Sequence, residues 1–228
     1  MVRNFVLVVV VIYTLFANSP RTAQGISPAV FPYGSWKSPI TAEMLVEKSV
    51  RFGDQSVDGE VLYWVESRPE EQGRYAILRR LPDGKIEDVL PTPFSARTTV
   101  HEYGGGALLA AEGMVYFSNY ADQRLWQFKP GETPQPLTAA GKLRFADFVL
   151  DRARNRLIAV CEDHTKNDHQ PENLLVAVDL KTGNVTPLVS GDDFYASPRV
   201  STDGARLAWV SWNHPNMPWD GTELWVGR

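Results

Sequence analysis

The stretch MVYFSNYADQRLWQFKPGE, from Met114 to Glu132, contains one unit of the pattern that decides the fold. Two runs rich in aromatic and aliphatic residues, Met114–Ser118 and Arg124–Phe128, are separated by a polar turn and followed by a second turn, Pro130–Glu132. Aromatic and β-branched residues favour strands, and two such runs joined by a short polar connection predict a β-hairpin. The same order recurs on both sides of this stretch.

The hairpin pattern repeats along the chain. The other units are Val61–Val65 with Tyr75–Arg80, Arg156–Val160 with Asn173–Asp179, and the opening run Arg206–Val210. The equivalent positions Tyr63, Tyr116, Ile158 and Ala208 are separated by 53, 42 and 50 residues. A period of this size built from hairpins is typical of a β-propeller, whose blades must stack to bury their faces.

The sequence therefore predicts an all-β fold, a partial β-propeller over residues 57–228. About three complete blades and part of a fourth fit into this range. A plain β-sandwich is the alternative, but four unit starts that share one internal order disfavour it. Only Ala42–Lys48 has a helical pattern, and it falls in a lead-in segment, residues 26–56, ahead of the first blade.

Composition and charge exclude several classes of protein. The 228 residues are 43% hydrophobic and 22% charged, as in globular proteins and unlike disordered ones. The net charge of −4 argues against nucleic acid as a partner, because phosphate binding needs a basic surface. The single cysteine, Cys161, excludes an intrachain disulfide.

The N-terminus has the layout of a secretory signal peptide. Arg3 precedes the apolar run Phe5–Ala17, and the small residues Ala23 and Gly25 suit cleavage after residue 25. The apolar run is shorter than the roughly 20 residues that span a bilayer. We therefore expect residues 1–25 to direct export to a periplasmic or extracellular space. The alternatives are an uncleaved membrane anchor, or a start codon assigned too far upstream in a cytoplasmic protein.

A glycine-rich segment follows His101 and Glu102. A run such as Gly104–Gly106 can cradle phosphate when a helix follows it, but Ala107–Ala111 leads directly into another turn. We therefore predict that these glycines belong to an inner strand, between Thr99 and Leu109, in which they permit close approach of the backbone.

Two further polar segments contain candidate substrate-access residues. Acidic and histidine side chains, Asp163 and His164 among them, crowd the segment Cys161–Glu172, but without metal-ligand spacing, so we predict a solvated hairpin tip and no metal. In Trp212–Trp225, Asn213, His214 and Asp220 suggest a polar cluster at the pore mouth. The other interpretation of that stretch is a wide hairpin loop shaped by its prolines, with its tryptophans packed between blades. The candidates for substrate access are His101, Glu102, Asp163, His164, His214 and Asp220, and no cofactor is expected.

Four stretches resemble serine peptidases of the prolyl oligopeptidase family, of the dipeptidyl aminopeptidase or acylaminoacyl-peptidase type. They are Tyr33–Ile40, Arg97–Ala107, Phe117–Leu125 and Trp212–Trp225, and the resemblance covers essentially all of residues 33–228. It implies an N-terminal propeller that filters oligopeptides into a cavity above a C-terminal α/β-hydrolase domain. In such proteins that domain contains the catalytic serine, aspartate and histidine.

The catalytic motif of that family does not occur in these 228 residues. The nucleophile elbow reads G-x-S-x-G, and the nearest stretch, Gly25–Ala29, has no final glycine and no strand before it. The sequence therefore predicts a propeller part that gates oligopeptide access to a hydrolase domain not present in this chain, and no catalytic residue. The alternatives are a stand-alone propeller that binds peptides or proteins, and an inactive remnant of a truncated reading frame. Unpaired faces on the first and last blades also predict self-association.

Overall fold

The computed structural model describes residues 30–35, 38–41, 44 and 49–228. The predicted signal peptide lies outside the described residues, as does all but Met44 of the predicted helix. The chain divides into two compact units, residues 1–47 and residues 48–228, and the second contains every strand of the described part. No helix in the described part is long and apolar enough to cross a membrane.

Fifteen strands in the described residues form four antiparallel sheets, arranged as the blades of a partial propeller. Blade 1 comprises β1 (Arg51–Asp58), β2 (Val61–Arg68), β3 (Arg74–Arg80) and β4 (Ile86–Asp88). Blade 2 comprises β5 (Leu108–Ala111), β6 (Met114–Ser118), β7 (Leu125–Phe128) and β8 (Gln135–Pro136). Blade 3 comprises β9 (Leu143–Asp151), β10 (Arg156–Asp163), β11 (Glu172–Asp179) and β12 (Val185–Val189). Blade 4 comprises β13 (Phe194–Val200), β14 (Leu207–Trp212) and β15 (Glu223–Gly227). Three four-stranded blades and one three-stranded blade confirm the predicted fold class.

The first blade begins earlier than residue 57. Its inner strand β1 starts at Arg51, inside the segment interpreted as a lead-in, and pairs with β2 across the turn at Gly59. The β1 sequence, RFGDQSVD, is mostly polar and lies at the surface, so it has no apolar alternation of its own. Pairing with β2 is what makes these residues a strand, and this context is not visible in their own pattern.

Apolar cores fill the spaces between neighbouring blades. Tyr63 and Phe117 belong to the core shared by blades 1 and 2. Along β10, Leu157 packs in the core shared with blade 2, whereas Val160 packs with Tyr195 in the core shared with blade 4. Successive residues of a strand point to opposite faces, so blade 3 buries both of its faces.

Hydrogen bonds between inner strands join the blades around the centre. The Asp54 carboxylate accepts the backbone N–H groups of Gly106 (3.0 Å) and Ala107 (2.6 Å), which joins blade 1 to blade 2. The N–H of Asp147 donates to the carbonyl of Gly106 (2.7 Å), and the Asp147 carboxylate accepts the N–H of Ser197 (2.5 Å). These bonds link blade 2 to blade 3 and blade 3 to blade 4.

Candidate binding site where the inner strands begin

All six predicted substrate-access residues lie on one face of the propeller. The Asp54–Gly106 and Asp58–Glu112 hydrogen bonds show that β1 and β5 run in the same direction. We term the face at which the inner strands begin the start face. Antiparallel pairing brings the ends of β10 and β14 to the same face. The six residues lie in the loop before β5 (His101 and Glu102), at the end of β10 (Asp163 and His164) and in the loop after β14 (His214 and Asp220).

The loop before β5 is shaped by backbone geometry. His101 and Glu102 have φ values of 56° and 63°, and all three glycines from Gly104 to Gly106 have positive φ. A Cβ on Gly104 would lie 2.6 Å from the Thr98 carbonyl oxygen, and one on Gly106 would lie 2.6 Å from the Asp147 nitrogen. The predicted inner strand is therefore wrong for these glycines, because β5 begins only at Leu108. Close approach of the backbone, the predicted reason for them, is confirmed for Gly104 and Gly106, whereas a Cβ on Gly105 would meet no atom within 4 Å.

Glu162 joins this loop to blade 3. Its Oε1 accepts the backbone N–H of His101 (2.7 Å), and its Oε2 lies 3.0 Å from His164 Nε2. His164 Nδ1 lies 3.1 Å from the carbonyl oxygen of Asp168. The imidazole of His164 therefore bridges the Glu162 carboxylate and the Asp168 carbonyl through its two ring nitrogens. The pair therefore holds the loop before β5 against the end of β10.

The prediction of a solvated tip for Cys161–Glu172 is only partly correct. Residues 165–170 are exposed, whereas Cys161, Glu162 and His164 are buried. Burial raises the pKa of the Cys161 thiol, so this cysteine is a protonated core residue at neutral pH.

An aromatic cluster lies beside the loop before β5. The rings of Phe194 and Trp212 stack with their centroids 5.3 Å apart and an interplanar angle of 14°. The His101 ring meets both rings edge-on, at 5.5 and 5.7 Å, and lies 5.7 Å from Tyr103. His214 lies 5.0 Å from Phe194 on the other side. The cluster therefore connects the loop before β5 to the beginning and end of the first hairpin of blade 4.

The predicted packing role of the tryptophans holds for Trp212 alone. Trp212 is buried, but Trp219 is 76% exposed and Trp225 is 46% exposed, so packing between blades is wrong for these two. Trp219 lies in the loop between β14 and β15, and Trp225 lies on β15, the third strand of blade 4.

His101 is neutral in this environment. Burial lowers the pKa of its imidazole, and this effect outweighs the nearby carboxylates of Glu162 and Asp147, which act to raise it. Its Nε2 is buried and has no hydrogen-bond partner among the described residues. A buried polar atom without a partner costs about 1–3 kcal/mol, so an incoming hydrogen-bonding group would be stabilised here.

A cleft of about 500 Å³ opens beside this histidine. Its apolar lining comes from the core between blades 3 and 4, including Val160 and Tyr195. His101, Tyr103 and Trp212 add aromatic rings to the lining, and the glycine loop adds backbone. Among the residues that the structure describes, Asp147 is the one charged side chain that lines the cleft. The volume and the mixture of apolar surface with a few polar groups are typical of small-molecule sites.

The structure brings some of the six predicted residues together and separates others. His101 lines the cleft, His164 supports it through Glu162, and His214 borders the aromatic cluster and lies 3.0 Å from Asp193 through its Nδ1. The other three lie apart from it. Glu102 is exposed, Asp163 accepts the N–H of Thr165 (2.8 Å), and Asp220 accepts the N–H of Met217 (3.0 Å). In residues 30–35, 38–41, 44 and 49–228, no group of three or more His, Cys, Asp or Glu side chains is arranged to hold a metal ion.

Asp147 and Phe194 were missed by sequence reasoning. Asp147 interrupts an otherwise apolar run, FADFV, in the middle of β9, and Asp54 lies in the middle of β1. A small residue followed by aspartate at the same place in two blades is the signal that would have indicated Asp147. Phe194 could not be found in this way, because only the fold brings its ring to His101.

Comparisons with known proteins place the chain among peptidase propellers. No protein-family model matches the sequence, and no curated protein matches it. A solved puromycin-hydrolyzing peptidase from Mycobacterium tuberculosis is 42% identical over 87% of this chain, with a TM-score of 0.73. A solved puromycin hydrolase is 34% identical over 87% of this chain, with a TM-score of 0.74. The chain spans only about a third of the length of each, 32% and 33%.

A third solved structure shares the fold alone. The acylaminoacyl peptidase of Pyrococcus horikoshii is 11% identical over 79% of this chain and has a TM-score of 0.52, and the match covers 31% of that protein.

Proposed function

Because the chain belongs to the propeller portion of the prolyl oligopeptidase family, we propose that it gates the access of oligopeptides to a hydrolase domain outside these 228 residues. The observation that carries the proposal is the 42% identity, over 87% of this chain, to a peptidase about three times as long. The proposed reaction of the whole protein is hydrolysis of a peptide or aminoacyl amide bond by a serine nucleophile in the further domain.

Three features of the start face support a gating role. The loops before β5, after β10 and after β14 all lie there, so the exposed side chains of Glu102, Tyr103 and Trp219 share one face. Glu162 fixes the loop before β5 through the His101 N–H, which keeps the rim of the cleft in one position. The hydrogen bonds between inner strands hold the blades together, so a large or folded substrate cannot pass between them. Export directed by residues 1–25 is part of the same proposal, since extracellular oligopeptides would then be the substrates.

The test of gating uses the longest product that the gene encodes. We expect it to hydrolyse short peptides faster than long ones, and Glu162→Ala to weaken this preference severalfold by releasing the loop before β5. Glu172→Ala is the matched control, because Glu172 is exposed at the start of β11 and its carboxylate forms an ion pair with the exposed Lys166. The ratio of kcat/KM for a short and a long peptide is the measurement. A product without peptidase activity, or an unchanged ratio in Glu162→Ala, would contradict the proposal.

Exposed apolar side chains on the outer blades favour a second property, self-association of the 228-residue chain. Leu224 and Val226 on β15, and Phe52 and Val57 on β1, are exposed. Apolar strands without a covering sheet promote association. We propose that copies of the chain associate through these faces.

Size-exclusion chromatography with light scattering tests this second proposal. We expect the wild-type chain to elute above its 25.5 kDa monomer mass and Leu224→Lys to shift toward the monomer. Ile86→Lys is the control, because Ile86 is exposed on the outer strand β4. A monomeric wild-type chain that unfolds cooperatively would overturn the proposal and favour a stand-alone binding module.

A further inference from the structure

The cleft on the start face combines an apolar interior with a single charge. Val160 and Tyr195 contribute apolar lining, while Trp212 and Tyr103 contribute aromatic rings. Among the described residues, Asp147 is the one charged side chain in the lining, and the side chains of Ser197 and Thr222 add polar atoms, so the cleft has a negative charge beside its apolar surface. A ligand that matches this arrangement has an apolar group next to a positive charge.

We propose that this cleft binds a cationic amine attached to an apolar or aromatic group. In an oligopeptide, the N-terminal amine and a lysine side chain are the two sources of such an amine. The assignment of the amine to an oligopeptide rests on the proposed function, whereas the binding of a small amine does not.

Asp147 has one oxygen available for the amine. Its Oδ2 accepts the N–H of Ser197 at 2.5 Å, while its Oδ1 lies 3.7 Å from the Arg199 guanidinium, beyond hydrogen-bonding distance. The Arg199 side chain is mostly exposed, so solvent screens its charge, whereas the Asp147 side chain is mostly buried. An ammonium group in the cleft can therefore donate to Oδ1 without displacing the bond that joins blades 3 and 4.

The aromatic rings favour the same ligand. Tyr103 and Trp212 line the cleft, and the face of a tyrosine or tryptophan ring attracts a cation placed over it. Burial lowers the pKa of His101, so its ring is neutral at neutral pH and does not repel an amine. The buried Nε2 of His101 has no partner among the described residues and gains one from a hydrogen-bonding group of the ligand.

Three small probes of one shape separate charge from apolar contact. We would titrate the full chain with 2-phenylethylamine, 2-phenylethanol and phenylacetate, and follow binding by calorimetry. A hydrogen bond to a charged group is worth about 1.5–3 kcal/mol, so we expect the amine to bind at least about tenfold more tightly than the alcohol. Phenylacetate should bind most weakly. Equal affinities for the amine and the alcohol would overturn the proposal.

Asp147→Asn tests the origin of the preference. Its amide oxygen can still accept the Ser197 N–H, so we expect binding of the amine to weaken about tenfold and binding of the alcohol to stay the same. Asp193→Asn is the matched control on the same face, because Asp193 bonds to His214 and does not line the cleft. If Asp147→Asn does not fold, Tyr103→Leu is measured in its place, because Tyr103 is exposed and its replacement should leave the fold intact. The loss of the tyrosine ring should weaken binding of the amine about two- to fivefold. A folded variant with unchanged affinity for the amine would contradict the proposal.

Peptides distinguish the two sources of the amine and separate this proposal from the gating proposal. Phe-Gly-Gly with a free N-terminus, its N-acetylated form, and an N-acetylated form that contains lysine are the three probes. Tighter binding of the first assigns the site to peptide N-termini, and tighter binding of the third assigns it to lysine side chains. If the amine binds but the longest gene product has no peptidase activity, the gating proposal fails and the site stands. If gating is measured but amine and alcohol bind equally, the site fails alone.

Discussion

Blades 3 and 4 place residues of equivalent register in opposite environments. Leu175 on β11 pairs with Val160 of the neighbouring strand, and Leu224 on β15 pairs with Val210 in the same way. Leu175 is 0% exposed, whereas Leu224 is 73% exposed. The residue types and the hairpin are the same, so neither propensity nor pairing accounts for the difference.

The difference arises from stacking. Blade 3 lies between blade 2 and blade 4 and shares a core with each, so both of its faces are buried. Blade 4 shares a core with blade 3, and β15 has no blade against it in the described part of the chain. In a propeller, a blade's stability therefore depends on its neighbours as much as on its own sequence.

Truncation of the two leucines to alanine tests this comparison and should give the largest difference in the free energy of unfolding. Leu175→Ala should lower the free energy of unfolding by about 2–5 kcal/mol, because it removes a fully buried side chain and leaves a cavity. Leu224→Ala should change it by no more than about 0.5 kcal/mol, because the side chain is mostly in solvent. Urea unfolding of both variants, at a protein concentration low enough to limit association, is the measurement. A large effect of Leu224→Ala would mean that its face is covered in solution.

A pair of arginines gives a smaller effect of the same kind. Arg156 begins β10, and its guanidinium donates to the buried carboxylate of Asp151 at 2.8 Å. The same carboxylate also pairs with Arg154. Arg206, directly before β14, is exposed and has no ion pair among the described residues. Arg156→Ala should destabilise the fold by about 1–3 kcal/mol, because Asp151 then has one cationic partner instead of two. Arg206→Ala should stay within about 0.5 kcal/mol. Similar midpoints of unfolding for the two variants would contradict this.

Most of the fold was predictable because the middle strands of each blade have aromatic and branched residues between polar turns. The runs at Val61–Val65 and Arg156–Val160 are strands in the structure. The inner strand β1 was not predictable, since its residues are polar and become a strand by pairing with β2. The exposure of Trp219 and Trp225 was not predictable either, because a tryptophan in the sequence does not show which blade covers it.

The candidate site was predictable in position more than in composition. Polar residues in the sequence indicate the loops that contain His101, His164 and His214, and the topology places all three on the start face. The interaction of Glu162 with the His101 N–H joins residues far apart in the chain, and no local pattern indicates it. The cleft itself exists only because two blades stack beside the loop before β5.

The smallest predicted effect is the contribution of His101 to the pH dependence of the free energy of unfolding. His101 lies in the loop before β5, where this loop meets blades 3 and 4. Burial lowers the pKa of His101 in the folded protein, while in the unfolded chain an imidazole titrates at its ordinary value of about 6.5. Below about pH 6.5 the unfolded chain therefore binds a proton that the folded protein does not bind. The contribution of His101 to the free energy of unfolding is therefore fully present above the pKa of the imidazole in the unfolded chain. It is lost as the pH falls below that value, with a slope under about 1.4 kcal/mol per pH unit.

Substitution of His101 isolates this contribution. His101→Asn removes the titrating group, and asparagine tolerates the positive φ at this position, so we expect a flatter dependence of the unfolding free energy on pH between about pH 7.5 and about pH 5. His169→Asn, in the exposed loop after β10, is the control. Because it leaves His101 in place, the unfolding free energy of this variant should keep the part of its pH dependence that comes from His101. Urea unfolding over this range measures the slopes. If His101→Asn keeps the full wild-type slope, His101 binds its proton over the same pH range in the folded and unfolded protein, and burial does not lower its pKa.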